Sequence, residues 1–132
     1  MKPTHSPFDS PCKTVTDIIS LIGDKWSVLV IKSLGDGRLR FTEIKRSVEG
    51  VSQKMLTTTL RGLERDGYIS RTVYPTVPMR VEYELTDLGI DLLDPISALG
   101  QWAVDNHHRV VRARRRYDGE EERENRALAA NG

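Results

Sequence analysis

The chain has 132 residues, of which 38% are hydrophobic and 30% are charged. This length suits one domain with its own core, and the composition excludes a collagen-like or low-complexity chain. The net charge is only +1, but residues 38–80 carry nine basic and four acidic residues. This basic stretch favours a surface that meets a polyanion, and an ordinary mosaic of solvated charges is the alternative interpretation.

The N-terminal residues 1–11 contain three prolines and no apolar signal segment, so we expect a flexible arm. No apolar run approaches the roughly 18 residues that a membrane-spanning helix needs. The chain has one cysteine, which cannot form an intrachain disulfide framework. A cytoplasmic protein without a membrane partner fits these features.

Helical spacing of apolar residues predicts a first helix that begins after Cys12. Its apolar residues are Val15, Ile18, Ile19 and Ile22. Asp24 is a suitable N-cap for a second helix starting at Lys25, and glycines 35 and 37 end that helix. Residues 38–40 could form a minimal strand, and a two-turn helix follows from Phe41 to Val48.

Ser52 is expected to cap a helix that Gly67 ends. Its predicted buried residues are Met55, Leu56, Leu60 and Leu63. Residues 68–74 and 80–85 then predict a two-stranded hairpin with a proline-containing tip.

Thr86 caps the last predicted helix, and Pro95 is expected to kink or split it. The polar segment from residue 117 has little to bury, which predicts a disordered tail. We therefore predict an arm at 1–11, one domain at 12–116 and a charged tail at 117–132.

This order of elements is that of a winged helix-turn-helix, a mainly helical α+β fold with a small β hairpin. The helix after Ser52 has a polar side without acids before Glu64, unlike most amphipathic surface helices. Such a helix can enter the major groove of double-stranded DNA. The candidate reading residues are Ser52, Gln53, Lys54, Thr57, Thr58 and Arg61.

A second group of residues could contact the DNA backbone from the bracing helices and the hairpin, or wing. These candidates are Lys25, Arg40, Arg71, Pro78 and Arg80. Arg71 and Arg80 are expected near the tip of the hairpin.

Several blocks together resemble the HxlR family of bacterial transcription regulators, which is similar to the MarR group. The resemblance covers about residues 12–104 and rests on Cys12 and on the segments IGDKW (22–26), RFTEI (40–44), VSQKML (51–56), DGYI (66–69) and VYPTVPMRVEYELT (73–86). It implies a homodimeric DNA-binding repressor or activator whose first and last helices form the dimer. The arginine run at 109–116 lies outside the part that resembles the family.

The terminal helices carry more apolar surface than a small core needs, which also favours dimerisation. The expected dimer residues are Val15, Ile18, Ile19, Ile22, Leu92, Ile96, Leu99 and Trp102. Cys12 stands where several family members carry a redox-sensing cysteine. A helix N-terminus and Lys13 both favour its thiolate, although a purely structural cysteine is the alternative.

The sequence shows no phosphate-binding glycine loop, no nucleophile triad and no metal-ligand spacing. We therefore predict no enzyme activity and no cofactor. We also predict no metal site, because His107 and His108 are adjacent and do not share a helix face. The remaining alternatives are a winged-helix module for protein contacts and a regulator that responds to a small ligand rather than an oxidant.

Overall fold

A computed structural model describes the backbone of residues 12–131 and the side chains of residues 13–131. The predicted N-terminal arm, residues 1–11, lies outside the described residues. The described chain divides into two compact units, residues 12–96 and residues 97–131.

The helices are α1 (Cys12–Gly23), α2 (Lys25–Ser33), α3 (Phe41–Ser47), α4 (Gln53–Arg65) and α5 (Asp87–Asn131), and one 3-10 turn covers Leu34–Asp36. The strands are β1 (Leu39–Arg40), β2 (Ile69–Tyr74) and β3 (Arg80–Leu85). The predicted mainly helical fold with a small amount of β structure is confirmed.

The predicted helix caps are present in the structure. A carboxylate oxygen of Asp24 accepts a hydrogen bond of 3.1 Å from the backbone N–H of Trp26 at the start of α2. The hydroxyl of Thr86 accepts one of 3.2 Å from the N–H of Gly89 in α5. Gly67 follows α4 with a φ of 84°, a left-handed conformation that glycine adopts without steric cost.

The sheet has three antiparallel strands in the order β1-β3-β2. Leu39 pairs with Tyr83, while Tyr74 pairs with Arg80 beside the connecting loop. The expected two-stranded hairpin is therefore extended by β1, and β3 is the central strand. The minimal strand expected within residues 38–40 is present as β1, but two residues are too few for an alternation pattern to reveal its partner.

The core of the first unit consists of aliphatic side chains that come mainly from α2, α3, α4, β2 and the start of α5. Its buried members are Val30, Ile31, Leu34, Ile44, Val48, Val51, Leu56, Leu60, Leu63, Ile69 and Ile96. The prediction that Met55 is buried is wrong, because its side chain is 42% exposed. Adjacent residues of a helix differ by about 100°, so burying Leu56 turns Met55 away from the core.

Helix α5 differs from its prediction in two places. Pro95 was expected to kink or split this helix; it lies inside one uninterrupted helix, which excludes the split. An interior proline removes one backbone hydrogen bond, and the good helix formers on both sides continue the helix. Residues 117–131 are helical where we expected disorder. Their Glu, Arg, Ala and Leu residues favour a helix even without burial.

Candidate nucleic-acid interface

Helix α4 buries one side and exposes the other. Leu56, Leu60 and Leu63 are each at most 2% exposed. On the other side lies a polar stripe, defined as Gln53, Lys54, Thr57, Thr58 and Arg61, of which only Thr57 is half-buried. The stripe contains no acidic residue, so it can approach an anionic duplex without repulsion.

The beginning of α4 is held by a local hydrogen bond. The hydroxyl oxygen of Ser52 accepts a 3.1 Å hydrogen bond from the backbone N–H of Met55. This cap satisfies one of the free N–H groups at the helix N-terminus. Ser52 therefore fixes the end of the helix that would enter a groove first.

The two threonines of the stripe use their hydroxyl protons within the helix. Thr57 donates to the carbonyl of Gln53 at 2.8 Å, and Thr58 donates to that of Lys54 at 3.0 Å. These bonds hold the side-chain orientations and leave the methyl groups available. A threonine methyl suits apolar contact with the methyl group of thymine.

A crevice separates the C-terminal half of α4 from the sheet. It is lined by Phe41, Thr57, Leu60, Arg61, Glu64, Arg71 and Tyr83. Arg71 Nε lies 3.8 Å from Glu64 Oε1, and Arg71 pairs across the sheet with Tyr83. The prediction that Arg71 lies near the wing tip is wrong. Strand alternation points it toward α4 in mid-strand.

Burial in this crevice raises the pKa of Tyr83 above its usual value of 10.0. The positive charges of Arg71 and Arg61 oppose this effect, but burial outweighs them. The phenol therefore stays protonated at neutral pH and keeps an O–H that can donate.

A second groove runs between the start of α3 and the wing. Its lining residues are Arg40, Phe41, Thr42, Thr76, Val77, Pro78, Met79, Arg80 and Val81. Three predicted backbone contacts, Arg40, Pro78 and Arg80, thus lie along one groove. Phe41 lines both this groove and the crevice, so the stripe and the wing belong to one continuous surface.

Arg80 is positioned by its neighbours on the sheet. Its guanidinium carbon lies 4.2 Å from the centre of the Tyr74 ring, and its Nε lies 3.8 Å from Glu82 Oε2. Cation–π contact with tyrosine holds an arginine without removing its charge. Arg80 is therefore restrained beside the wing tip while its side chain remains 40% exposed.

Sequence reasoning missed the contribution of Arg38 to this surface. Arg38 Nη2 lies 3.2 Å from a Glu84 oxygen, Nη1 lies 3.6 Å from Glu82, and Nη1 donates to the Tyr74 hydroxyl at 3.0 Å. The negative charge of Glu84 raises the pKa of Arg38 more than any other contact does. The pairing of β1 with β3 brings these groups together, and no local sequence pattern indicates it.

The ion pairs of Arg38 have an electrostatic consequence for the wing. Two unpaired glutamates on β3 would repel a phosphate backbone. Arg38 and Arg80 offset both charges, which makes this face of the wing compatible with DNA.

Lys25 lies apart from the two grooves at the start of α2, with its ammonium 4.8 Å from the centre of the Trp26 ring.

The residues expected at a dimer interface differ in exposure. On α1, Ile18 and Ile19 are 42% and 48% exposed, while Val15 and Ile22 are half-buried, as is Leu92 on α5. Ile96 is 4% exposed and belongs to the core of its own chain. Its assignment to a partner contact is wrong, because α5 turns this side chain inward.

In the second unit, Leu99 and Trp102 are 53% and 58% exposed.

Among the described residues, no cluster of His, Cys, Asp and Glu could hold a metal ion. Within residues 12–131, no helix combines the length and apolar character needed to cross a membrane.

A bracing helix, a polar recognition helix and a β wing together define a winged helix-turn-helix protein. Residues 21–111 match the family described as HxlR-like helix-turn-helix. The chain belongs to this family of transcriptional regulators, so the predicted resemblance is confirmed.

Individual relatives agree with this assignment. The HTH-type transcriptional regulator YtfH of Escherichia coli strain K12 is 38% identical over 98 residues, which are 74% of this chain and 78% of that protein. The structure of ytfH from Salmonella typhimurium has a TM-score of 0.71 and 37% identity, and covers 84% of this chain and 98% of that chain. The structure of the oxidised form of the redox regulator HypR has a TM-score of 0.65 and 38% identity, and covers 70% of this chain and 96% of that chain.

Proposed function

We propose that this transcriptional regulator binds double-stranded DNA as a homodimer and recognises an inverted-repeat operator. The observation that carries the proposal is the exposed, acid-free stripe on α4, continuous with the groove beside the wing. Gln53 suits adenine, Lys54 and Arg61 suit guanine, and the threonine methyl groups suit thymine. The N-terminal half of α4 would therefore read base edges in the major groove.

The backbone contacts would come from both sides of α4. Arg40 and Arg80 lie on the groove at the wing, with Pro78 in its loop, and Lys25 stands at the N-terminus of α2. These residues would set the register of the protein on DNA without reading sequence. Arg71 has a different role in this proposal. Its ion pair with Glu64 supports the C-terminal half of α4 from the sheet.

The exposed apolar residues of the terminal helices would form the dimer. Ile18 and Ile19 of one chain would pack against Leu99 and Trp102 of another across a two-fold axis. The two recognition helices would then lie about 34 Å apart, which is one turn of DNA. Such a dimer would act in the cytoplasm as a repressor or an activator at its operator.

Cys12 would make the regulator responsive to oxidants or electrophiles. Two observations support this: helix α1 begins at Cys12, and the similar protein HypR is a redox regulator. A helix N-terminus favours the thiolate form. A bulky or charged adduct beside the dimer helix would change the spacing of the recognition helices and lower operator occupancy.

The first experiment measures binding of the full chain to a DNA fragment from upstream of its own gene, and to a scrambled fragment, over a range of salt concentrations. We expect tighter binding to the upstream fragment and a linear fall of log K with log salt concentration. Binding with no salt dependence and no DNA preference would favour the protein-contact module instead. Sedimentation checks the dimer, and a 15.0 kDa species at micromolar concentration would exclude it.

The redox role has its own test. Operator binding is titrated with diamide or a quinone, using the wild type and Cys12→Ser. We expect the wild type to lose binding and the variant to retain it. Equal responses of the two proteins would assign the signal to a different residue, and no response in either would favour a small-ligand effector.

A further inference from the structure

The tip of the wing carries an apolar cluster that its own chain leaves largely uncovered. Val77 is fully exposed and Met79 is 66% exposed, and Pro78 between them is exposed as well. All three lie in the loop that joins β2 to β3. Single exposed apolar residues are ordinary on a protein surface, but successive ones at the end of a hairpin favour a partner that covers them. We call Val77, Pro78 and Met79 the tip cluster.

The loop that carries the tip cluster is held by local hydrogen bonds and by proline. The backbone N–H of Thr76 donates to the carbonyl of Tyr74 at 2.8 Å, and the Thr76 hydroxyl donates to the carbonyl of Pro78 at 2.8 Å. Pro75 and Pro78 each fix one backbone φ angle. Such a loop loses little conformational entropy when it docks, so it can press against a partner without deforming.

The surroundings of the tip cluster favour an anionic partner. The tip cluster lines one groove together with Arg40 and Arg80, and none of the described residues that line this groove is acidic. The acid of β3 closest in sequence to the tip is Glu82, whose oxygens lie 3.6 Å from Arg38 Nη1 and 3.8 Å from Arg80 Nε. An apolar protein surface would gain nothing from these arginines, whereas they complement the phosphates that border a DNA groove.

The wing is long enough to reach from the major groove to the next minor groove. Arg71 Nε lies 3.8 Å from Glu64 Oε1, so β2 meets α4 at this residue. The strand from Arg71 to Tyr74 extends about 10 Å, and the outer half of the loop adds up to about 8 Å. The resulting reach of about 18 Å is close to half of a DNA turn of roughly 34 Å. With α4 in the major groove, the tip cluster can therefore enter the neighbouring minor groove.

We propose that the tip cluster is an apolar wedge that opens one base step from the minor groove and bends the operator. The floor of the minor groove presents hydrogen-bond acceptors, with which Val77 and Met79 cannot pair. The apolar surfaces at that depth are the deoxyribose rings and the faces of the bases, and the base faces become accessible only when a step unstacks. Proteins that insert apolar side chains in this way kink DNA by about 20–90°. This inference rests on the DNA-binding function proposed above.

The wedge gives the regulator a second source of sequence preference. Pyrimidine–purine steps such as TA and CA unstack easily, whereas A-tracts are stiff. Each wing should therefore favour a flexible step about five base pairs, or half a turn, from the centre of the bases that α4 reads. This preference depends on the deformation of the step and not on the base contacts of the polar stripe.

The experiment uses the full chain and a short duplex from upstream of its own gene, with a donor dye and an acceptor dye at its two ends. A second set of duplexes carries 2-aminopurine in place of one adenine of a TA or CA step, since this base fluoresces more strongly when it is unstacked. The tip variant is Val77→Ser with Met79→Ser. The matched control is Val104→Ser with Leu128→Ser, because these two side chains are exposed apolar residues of α5.

We expect the wild type and the control to bend the duplex by about 20° or more and to raise the fluorescence at one symmetric pair of steps. The tip variant should bind with an unchanged salt slope, because Arg40 and Arg80 remain. It should lose more than about half of the bend together with the rise in fluorescence. Replacement of the flexible step by a stiff A-tract step should weaken the wild type more than about threefold and leave the tip variant nearly unchanged.

Two results would overturn the wedge and leave the proposed function standing. One is a wild type that binds the duplex without bending it, which would assign the tip cluster to a protein partner. The other is a tip variant that bends the duplex as the wild type does. If the tip variant loses all binding, the two kinds of step decide, and equal affinity of the wild type for both would overturn the wedge. Absence of DNA binding by all three proteins would refute the proposed function and the wedge together.

Discussion

Replacement of Arg61 by alanine tests the proposed reading surface most directly. Arg61 is exposed on α4 and lines the crevice beside Arg71 and Tyr83. It takes part in none of the salt bridges found within residues 12–131. Its removal leaves no buried charge unpaired, so the free energy of unfolding should change by less than about 0.5 kcal/mol.

The effect on operator binding should be larger. A bidentate arginine contact with guanine contributes about 1–3 kcal/mol of discrimination, which corresponds to a roughly 5- to 150-fold weaker operator complex. We expect Arg61→Ala to lose this affinity for the operator and to bind scrambled DNA with a much smaller change. Specificity should relax at one symmetric pair of positions in the inverted repeat.

Fluorescence anisotropy with labelled duplexes measures both affinities at one salt concentration. The matched control is Arg65→Ala, because Arg65 lies on the same helix but lines a groove with Asp17 and Leu21 of α1. If Arg61→Ala binds the operator as tightly as the wild type, the assigned reading surface is wrong. If both variants weaken all duplexes equally, these arginines contact phosphates only.

Three further predictions address the wing, the core and the crevice. Arg40→Ala and Arg80→Ala should weaken binding to all duplexes similarly and lower the salt slope by about one unit each, and an unchanged slope would remove that residue from the backbone contacts. Gly89→Ala should lower the free energy of unfolding by about 2 kcal/mol or more in urea titrations, because a Cβ at this position would overlap the backbone carbonyl oxygen of Tyr68. The control is Gly62→Ala, which should not destabilise the protein because the space around Gly62 is open. Burial raises the pKa of Tyr83 above its usual value of 10.0, so the folded protein holds the phenol proton more tightly than the unfolded chain does. This difference contributes stability that is present below pH 10 and is lost as the pH rises through the raised pKa. Tyr83→Phe should therefore lose less stability between about pH 8 and pH 11, and an identical pH profile would contradict the burial of the phenol.

Local sequence patterns were sufficient for most of the helices and for the polar stripe of α4. Asp24, Ser52 and Thr86 cap the helices that they were expected to cap, because a cap bonds to N–H groups only two or three residues away. The polar stripe of α4 was predictable for the same reason, since residues three and four apart share a helix face. The order of these elements then indicated the winged helix-turn-helix, and the sequence blocks indicated the family.

Tertiary structure decided the features that depend on distant parts of the chain. The pairing of β1 with β3 brings Arg38 to Glu82 and Glu84, and strand register turns Arg71 toward Glu64 rather than the wing tip. Packing of α5 buries Ile96 in its own core instead of a partner contact. In each case the sequence states which side chains are available, while the choice among their partners depends on register and packing, which local spacing does not specify.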